Sequence, residues 1–297
     1  MSMQIGHVAL QVHELQTSAD HARETFGLRR TEAGDGSAAY LTANDKHHEL
    51  ELIASSRAGL DHIGLEVESA EELGIFRDRI VSSGATMLSV NHTEPGLTGA
   101  LRVLAPGGIV FEIYAAITRE PLSLENAPPP LARKLGHLTL FSVEKPALER
   151  FILEVLGFRV SDRIGDFGTW MRCGPDHHGL AVGQAAEGTR LHHYAFELEG
   201  WATVEVFADR VAKSGQQLLW GPGRHGPGFN VFTYLADPAG GIGEAYTDLL
   251  RIENDAAYRP IDWSTEPRAL NLWGPQAPPG WNELGLPALP AATSASF

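Results

Sequence analysis

The chain has very little sulfur: one cysteine, Cys173, and four methionines in 297 residues. A lone cysteine cannot close an internal disulfide, so the disulfide-stapled secreted class is excluded and a cytoplasmic protein is expected. Long apolar runs are missing as well. None approaches the roughly 18 residues that span a bilayer, and the opening MSMQIGHVAL has neither a basic n-region nor an apolar h-region, so no membrane partner is expected. Positive charge is scarce. Lys and Arg number 23 against 37 Asp and Glu, and the formal net charge of −14 repels a phosphate backbone, which argues against nucleic acid as a partner. What remains is a chain that is 43% hydrophobic, long enough for two cores at roughly 100–200 residues per domain, with an unusually large complement of 13 histidines.

Self-similarity organises the rest. GHVAL from Gly6, DHIGL from Asp61, GHLTL from Gly136 and HHYAF from His192 each open a strand-like run with a histidine. IFRDRIVSSGA (75–85) mirrors VFADRVAKSGQ (206–216), FGLRR (26–30) mirrors LGFRV (156–160), and LAPGGIVFEIY (104–114) mirrors LADPAGGIGEAY (235–246). The two halves are therefore a duplication, and each half is itself a pair of smaller units. HVALQV, AAYLTA and HELELIA alternate as strands do, whereas ALERFILEVLGF and WATVEVFADRVAKSG carry a helical period. Gly84 and Gly215 fall where a helix end takes a left-handed residue. The predicted class is α+β, with two tandem domains, each of paired βαβββ modules. The expected boundaries are 1–118 for a non-catalytic N-terminal domain, 119–133 for a Pro-rich linker around NAPPP and 134–250 for the catalytic domain. Residues 251–297 form a Pro-rich tail packing over the body.

The duplication makes individual residues readable. His137, His193 and Glu244 in the second half match His7, His62 and Glu112 in the first. Taken alone, a histidine is most often a hydrogen-bonded structural residue, and a glutamate behind a glycine turn is most often solvated. Three of them at repeat-equivalent strand positions outweigh those readings. Two imidazoles and one carboxylate form a ligand set that suits non-haem Fe(II), with Mn(II) close behind. Strand alternation favours His193 over His192, which shares the more apolar face with Tyr194 and Phe196. The halves differ around the triad: Tyr234 aligns with Arg102, so a phenol accompanies only the second set. His225 has a rough counterpart in His92, and His178 in His47 or His48. Histidine titrates near neutral pH, and a tyrosine hydroxyl can donate to an oxyanion. The second half is expected to work and the first to be a relic.

GH at 136–137, LHH at 191–193 and GRH…Y…DP.GG…E at 223–244 resemble, in order, the motifs of the type I extradiol ring-cleavage dioxygenases of the vicinal oxygen chelate superfamily. The resemblance extends over essentially the whole chain. Thr233, before the tyrosine, and Gly243, before the glutamate in GEAY, depart from the apolar residues usual there without removing a functional side chain. The resemblance implies that His137, His193 and Glu244 bind Fe(II) and that His178 is the acid/base beside bound O2. It also sets His225 and Tyr234 against the hydroxyls of a catechol, in a protein that tends to form homotetramers. RLHH, GPGRHGPG and the tail tryptophans look most like the homoprotocatechuate branch. That branch holds a substrate carboxylate with arginines, where this chain has Trp220 and ALNLWG, with Arg268 the nearest arginine. An apolar or aromatic-substituted catechol is the expectation, since Trp cannot pair with a carboxylate. Two other readings compete: a metal-dependent glyoxalase-type isomerase, which usually needs a second glutamate where His178 stands, and a metal-free small-molecule-binding module.

Overall fold

The computed structural model describes residues 3–31, 36–120 and 131–291, so NAPPP and the last six residues lie outside the described part. The first half runs β1 (Met3–Val12), α1 (Leu15–Phe26), β2 (Arg29–Arg30), β3 (Ala38–Thr42), β4 (Leu50–Ala54), β5 (Gly59–Val67), α2 (Ala70–Ser83), β6 (Thr86–Glu94), β7 (Leu97–Leu104) and β8 (Val110–Tyr114). The second repeats it as β9 (Ala132–Ser142), α3 (Lys145–Glu154), β10 (Arg159–Ile164), β11 (Gly168–Arg172), β12 (Leu180–Gln184), β13 (Thr189–Leu198), α4 (Trp201–Lys213), β14 (Leu218–Arg224), β15 (Val231–Ala236) and β16 (Ile242–Thr247). Strand β9 starts inside the stretch read from sequence as linker, because Ala132 already pairs with Leu198 of β13.

Each half is one continuous sheet, ordered β2-β3-β4-β1-β5-β8-β7-β6 and β10-β11-β12-β9-β13-β16-β15-β14. Within a sheet the two βαβββ modules meet along an antiparallel seam, β1 with β5 and β9 with β13. The duplication is reproduced residue by residue: Val8 pairs with Leu50 across a parallel ladder, as Leu138 pairs with Leu180. Alternation drives this, since one face of each strand carries the Val, Leu, Ile and Phe that form the main core.

The helices stop where the sequence says they should. α2 starts at Ser69, whose side chain accepts from the Glu72 backbone N–H, and ends on Gly84 at φ 72°; Gly215 takes φ 77° just past α4. The tail adds β17 (Ile261–Asp262) beside β10, and β18 (Leu286–Pro287), which pairs with β13. It thus lies across the second sheet, with Trp281 buried between them. Among the described residues no helix is long and apolar enough to cross a membrane.

Phe26, at the end of α1, locks the two halves together. It is fully buried and packs against Tyr194, Phe196 and Phe207 of the second half at ring separations of 5.2–6.2 Å. Gly243 leaves it room, since a Cβ there would stand 2.8 Å from its Cζ. Phe26→Ala is expected to cost about 3–5 kcal/mol of stability, read from the shift of the urea midpoint at unchanged slope. A change below about 1 kcal/mol would show that the halves do not depend on this contact.

Candidate metal centre and active site

Three adjacent strands of the second sheet bring the predicted ligands together. Ala195 on β13 pairs with His137 on β9 at one side and with Glu244 on β16 at the other. His193, two residues before Ala195, projects from the same face. Glu244 Oε2 lies 3.1 Å from His137 Nε2 and 3.1 Å from His193 Nε2, and the three donors fall within 4.8 Å of one another. All three residues are buried. Sequence separations of more than 50 residues are thus closed by strand register alone.

The surrounding hydrogen bonds set which nitrogen faces inward. His192 Nε2 donates to the Trp281 carbonyl at 2.9 Å, so neutral His192 presents a bare Nδ1. His193 Nδ1–H then donates to that nitrogen at 2.7 Å, leaving the lone pair of His193 Nε2 aimed at a Glu244 oxygen. Two lone pairs facing each other at 3.1 Å repel unless a cation lies between them. Donors bound at about 2.1 Å on an octahedral ion sit roughly 3.0 Å apart when cis, so the residues fit a divalent transition metal. His192, which the sequence placed on the more apolar face, orients His193. It is the kind of partner that metal-binding imidazoles generally need.

Asn230, which the sequence did not flag, donates from Nδ2 to Glu244 Oε1 at 3.2 Å and steadies the second carboxylate oxygen. Burial alone would push the Glu244 carboxyl up; positive charge on His137 and His193, in the place a bound cation would take, outweighs it and holds it well below the usual carboxylate range.

The other predicted residues converge on the same space. His178 lies with its ring 4.4 Å from that of His137, and burial, followed by His137 and His177, lowers it well below the usual histidine range. Its Nδ1 meets His177 Nδ1 at 3.0 Å, and His177 Nε2 lies 3.2 Å from the buried Asp162 carboxylate. His225 Nδ1–H donates to the Leu270 carbonyl at 2.6 Å, so its Nε2 accepts the Tyr234 hydroxyl at 2.9 Å. Burial brings His225 down to about 4, which keeps it neutral at physiological pH. The Tyr234 hydroxyl is pushed well above its ordinary range by burial and then by Glu244, so it stays protonated as a donor.

The cavity over these groups is lined by Phe141, Phe167, Trp170, Ala181, Val182, Trp220, Leu270 and Trp281 beside the histidines and Tyr234. Among the described residues no Lys, Arg, Asp or Glu lines it. Arg268 is elsewhere: its side chain is exposed and pairs with Glu266 at 3.3 Å. Trp220 stacks parallel to Tyr234 and donates to the Pro275 carbonyl.

The first half repeats the arrangement with changed residues. His7, Gly64 and Glu112 line up across β1, β5 and β8, with His62 two residues before Gly64. The counterpart of His178 is His48, whose ring lies 4.6 Å from His7. Where Tyr234 contacts His225, Arg102 contacts Glu94, so Glu94 rather than His92 takes the place of His225.

Tandem sheets of paired βαβββ modules, with histidines and carboxylates converging on their middle strands, define the vicinal oxygen chelate fold. Residues 4–113 and 134–242 match the Glyoxalase/Bleomycin resistance protein/Dioxygenase superfamily, and the chain belongs to that superfamily. It is similar to Metapyrocatechase 2 of Cupriavidus necator, with 30% identity over 92% of this chain and 89% of the relative. The manganese-dependent 2,3-dihydroxybiphenyl 1,2-dioxygenase of Geobacillus genomosp. 3 is 26% identical over 93% of this chain and 95% of its own. Among solved structures, homoprotocatechuate 2,3-dioxygenase from Arthrobacter globiformis superposes with a TM-score of 0.85, covering 96% of this chain and 92% of that one at 23% identity. The resemblance read from the GH, LHH and GRH…E motifs agrees with these relatives.

Proposed function

We propose that the second half is the active site of an extradiol dioxygenase that cleaves the ring of a catechol beside its diol, inserting both atoms of O2. The observation that supports this best is the His137–His193–Glu244 cluster, opening onto an apolar cavity that also holds His178, His225 and Tyr234. His137, His193 and Glu244 would hold the divalent ion, read as Fe(II), with Mn(II) as the alternative that the same donors accept. Once bound, the ion supplies Lewis acidity and a common site for the diol and O2.

The chain's own residues supply the rest. Neutral His225 can take a diol proton at Nε2, and the Leu270 carbonyl on its Nδ1–H steadies the imidazolium that results. The Tyr234 hydroxyl then donates to the diol oxygen that has lost its proton. His178 stands beside His137, placed to exchange a proton with the oxygen substrate, and His177 orients it. The aromatic lining excludes water and flanks the ring. Because no Lys or Arg among the described residues lines the cavity, an alkyl- or aryl-substituted catechol fits better than one bearing a carboxylate. We place the working protein in the cytoplasm as a homo-oligomer, which size-exclusion chromatography checks.

Aerobic addition of catechols to metal-loaded protein is the direct test. A yellow ring-fission product and O2 uptake equal to substrate loss are expected. Aryl- and alkylcatechols should outrun 3,4-dihydroxyphenylacetate in kcat/KM by roughly 10-fold or more, the scale of one unpaired charge in an apolar pocket. No O2 uptake with any catechol by a fully metal-loaded protein would refute the assignment.

A further inference from the structure

We propose that the first half binds a second divalent transition-metal ion, held by His7, Glu51, His62 and Glu94. This goes beyond the ring-cleavage reading, which uses only the second half. The donor atoms of these four residues lie within 4.8 Å of one another. His7 Nε2 and His62 Nε2 stand 2.9 Å apart, Glu94 Oε1 is 3.7 Å from the first and 3.9 Å from the second, and Glu51 Oε2 is 3.9 Å from His62 Nε2. Donors at about 2.1 Å on an octahedral ion are separated by roughly 3.0 Å when cis and about 4.2 Å when trans, and these spacings fall in that span.

Unsatisfied atoms point the same way. Glu51 Oε2, Glu94 Oε1 and Glu112 Oε2 are buried with no hydrogen-bond partner among the described residues. Orphaned carboxylate oxygens are costly, and three around one space call for a cation. Arg102 does not supply it. Its guanidinium binds the opposite oxygens, Glu94 Oε2 at 2.9 Å and Glu112 Oε1 at 2.6 Å, so a single guanidinium serves the far side of two of the three carboxylates. With both histidines neutral and ligating, a divalent ion would balance the charge that Arg102 leaves on Glu51, Glu94 and Glu112. The outer bonds also suit ligation: Asp61 Oδ1 accepts from His62 Nδ1 at 2.8 Å, and the Tyr114 hydroxyl meets His7 Nδ1 at 3.3 Å, so both Nε2 atoms are turned inward.

Glu51 separates this site from the other one. By ladder register its second-half equivalent is Ala181, which lines the open cavity. Four protein donors, with Glu112 Oε2 close by at 3.6 Å from His7 Nε2, leave less room for a substrate than three. A fuller coordination shell marks a structural ion rather than a catalytic one.

Manganese stoichiometry tests the proposal. Full-length protein stripped with chelator, reloaded with Mn2+ and desalted should hold about two ions per chain by mass spectrometry and electron paramagnetic resonance. The double variant His7→Ala/His62→Ala, which leaves only carboxylates among the first-half donors, should hold about one, with catechol turnover within roughly twofold of the parent. Glu244→Gln should also hold about one, in the first half, whether or not catechol is a substrate. A Glu244→Gln protein that holds no manganese would overturn the proposal, even if the double variant fails to fold. So would a folded His7→Ala/His62→Ala protein with unchanged stoichiometry.

Discussion

Replacing Glu244 by glutamine is expected to empty the second-half site and lower kcat/KM for catechol cleavage by at least about 10³-fold, because the chemistry there depends on the ion. Gln keeps the shape of Glu and removes its charge. Its amide N–H can donate to the lone pair of His193 Nε2, 3.1 Å from the oxygen it replaces. The variant therefore satisfies the site without a metal. In the presence of chelator it should unfold no earlier than the parent, whose buried carboxylate then lacks its cation. Metal analysis, O2 uptake and a melting curve read the three effects. Retention of the second-half ion together with full activity would remove Glu244 from the ligand set.

His178→Asn has the second-largest expected effect and a different profile. Asparagine cannot exchange a proton at neutral pH, so kcat should fall by roughly 10²–10⁴-fold, the usual contribution of a positioned acid/base. Metal content should not change, since His178 stands beside His137 rather than in the cluster that Glu244 completes. KM for the catechol should move little, because the proposed mechanism gives the diol to His225 and Tyr234 rather than to His178. Loss of metal in this variant would make His178 structural. A kcat within twofold of the parent would remove it from the proton chemistry.

The duplication was legible in the sequence because it is written in residue identities at a nearly constant offset, and register preserved it. Glu112 and Glu244 each pair through one strand with a histidine more than a hundred residues away, in the same pattern in both halves. The helix ends at Gly84 and Gly215 were legible for the same local reason: a left-handed backbone favours glycine. Alternation on β13 was less informative. It correctly turned His193 toward Glu244 but gave no sign that His192 sets its tautomer, because the acceptor that decides it is a carbonyl 89 residues downstream. Asn230 likewise looks like an ordinary loop residue until β15 brings it beside Glu244. In the first half, residue type made His92 a rough counterpart of His225, whereas the side chain that meets Arg102 across the bulged β6–β7 ladder is Glu94.

The sequence by itself determined the number of modules, their order and the residue types available at each strand position, since these follow from periodicity and from the repeat. Only the tertiary structure decided which donors share a space, which imidazole nitrogen faces it, and that Glu51 and Glu94 join His7 and His62. Those properties depend on distances across strands that no spacing along the chain encodes. In a buried, low-dielectric site a shift of one ångström separates an ion pair from an orphaned charge.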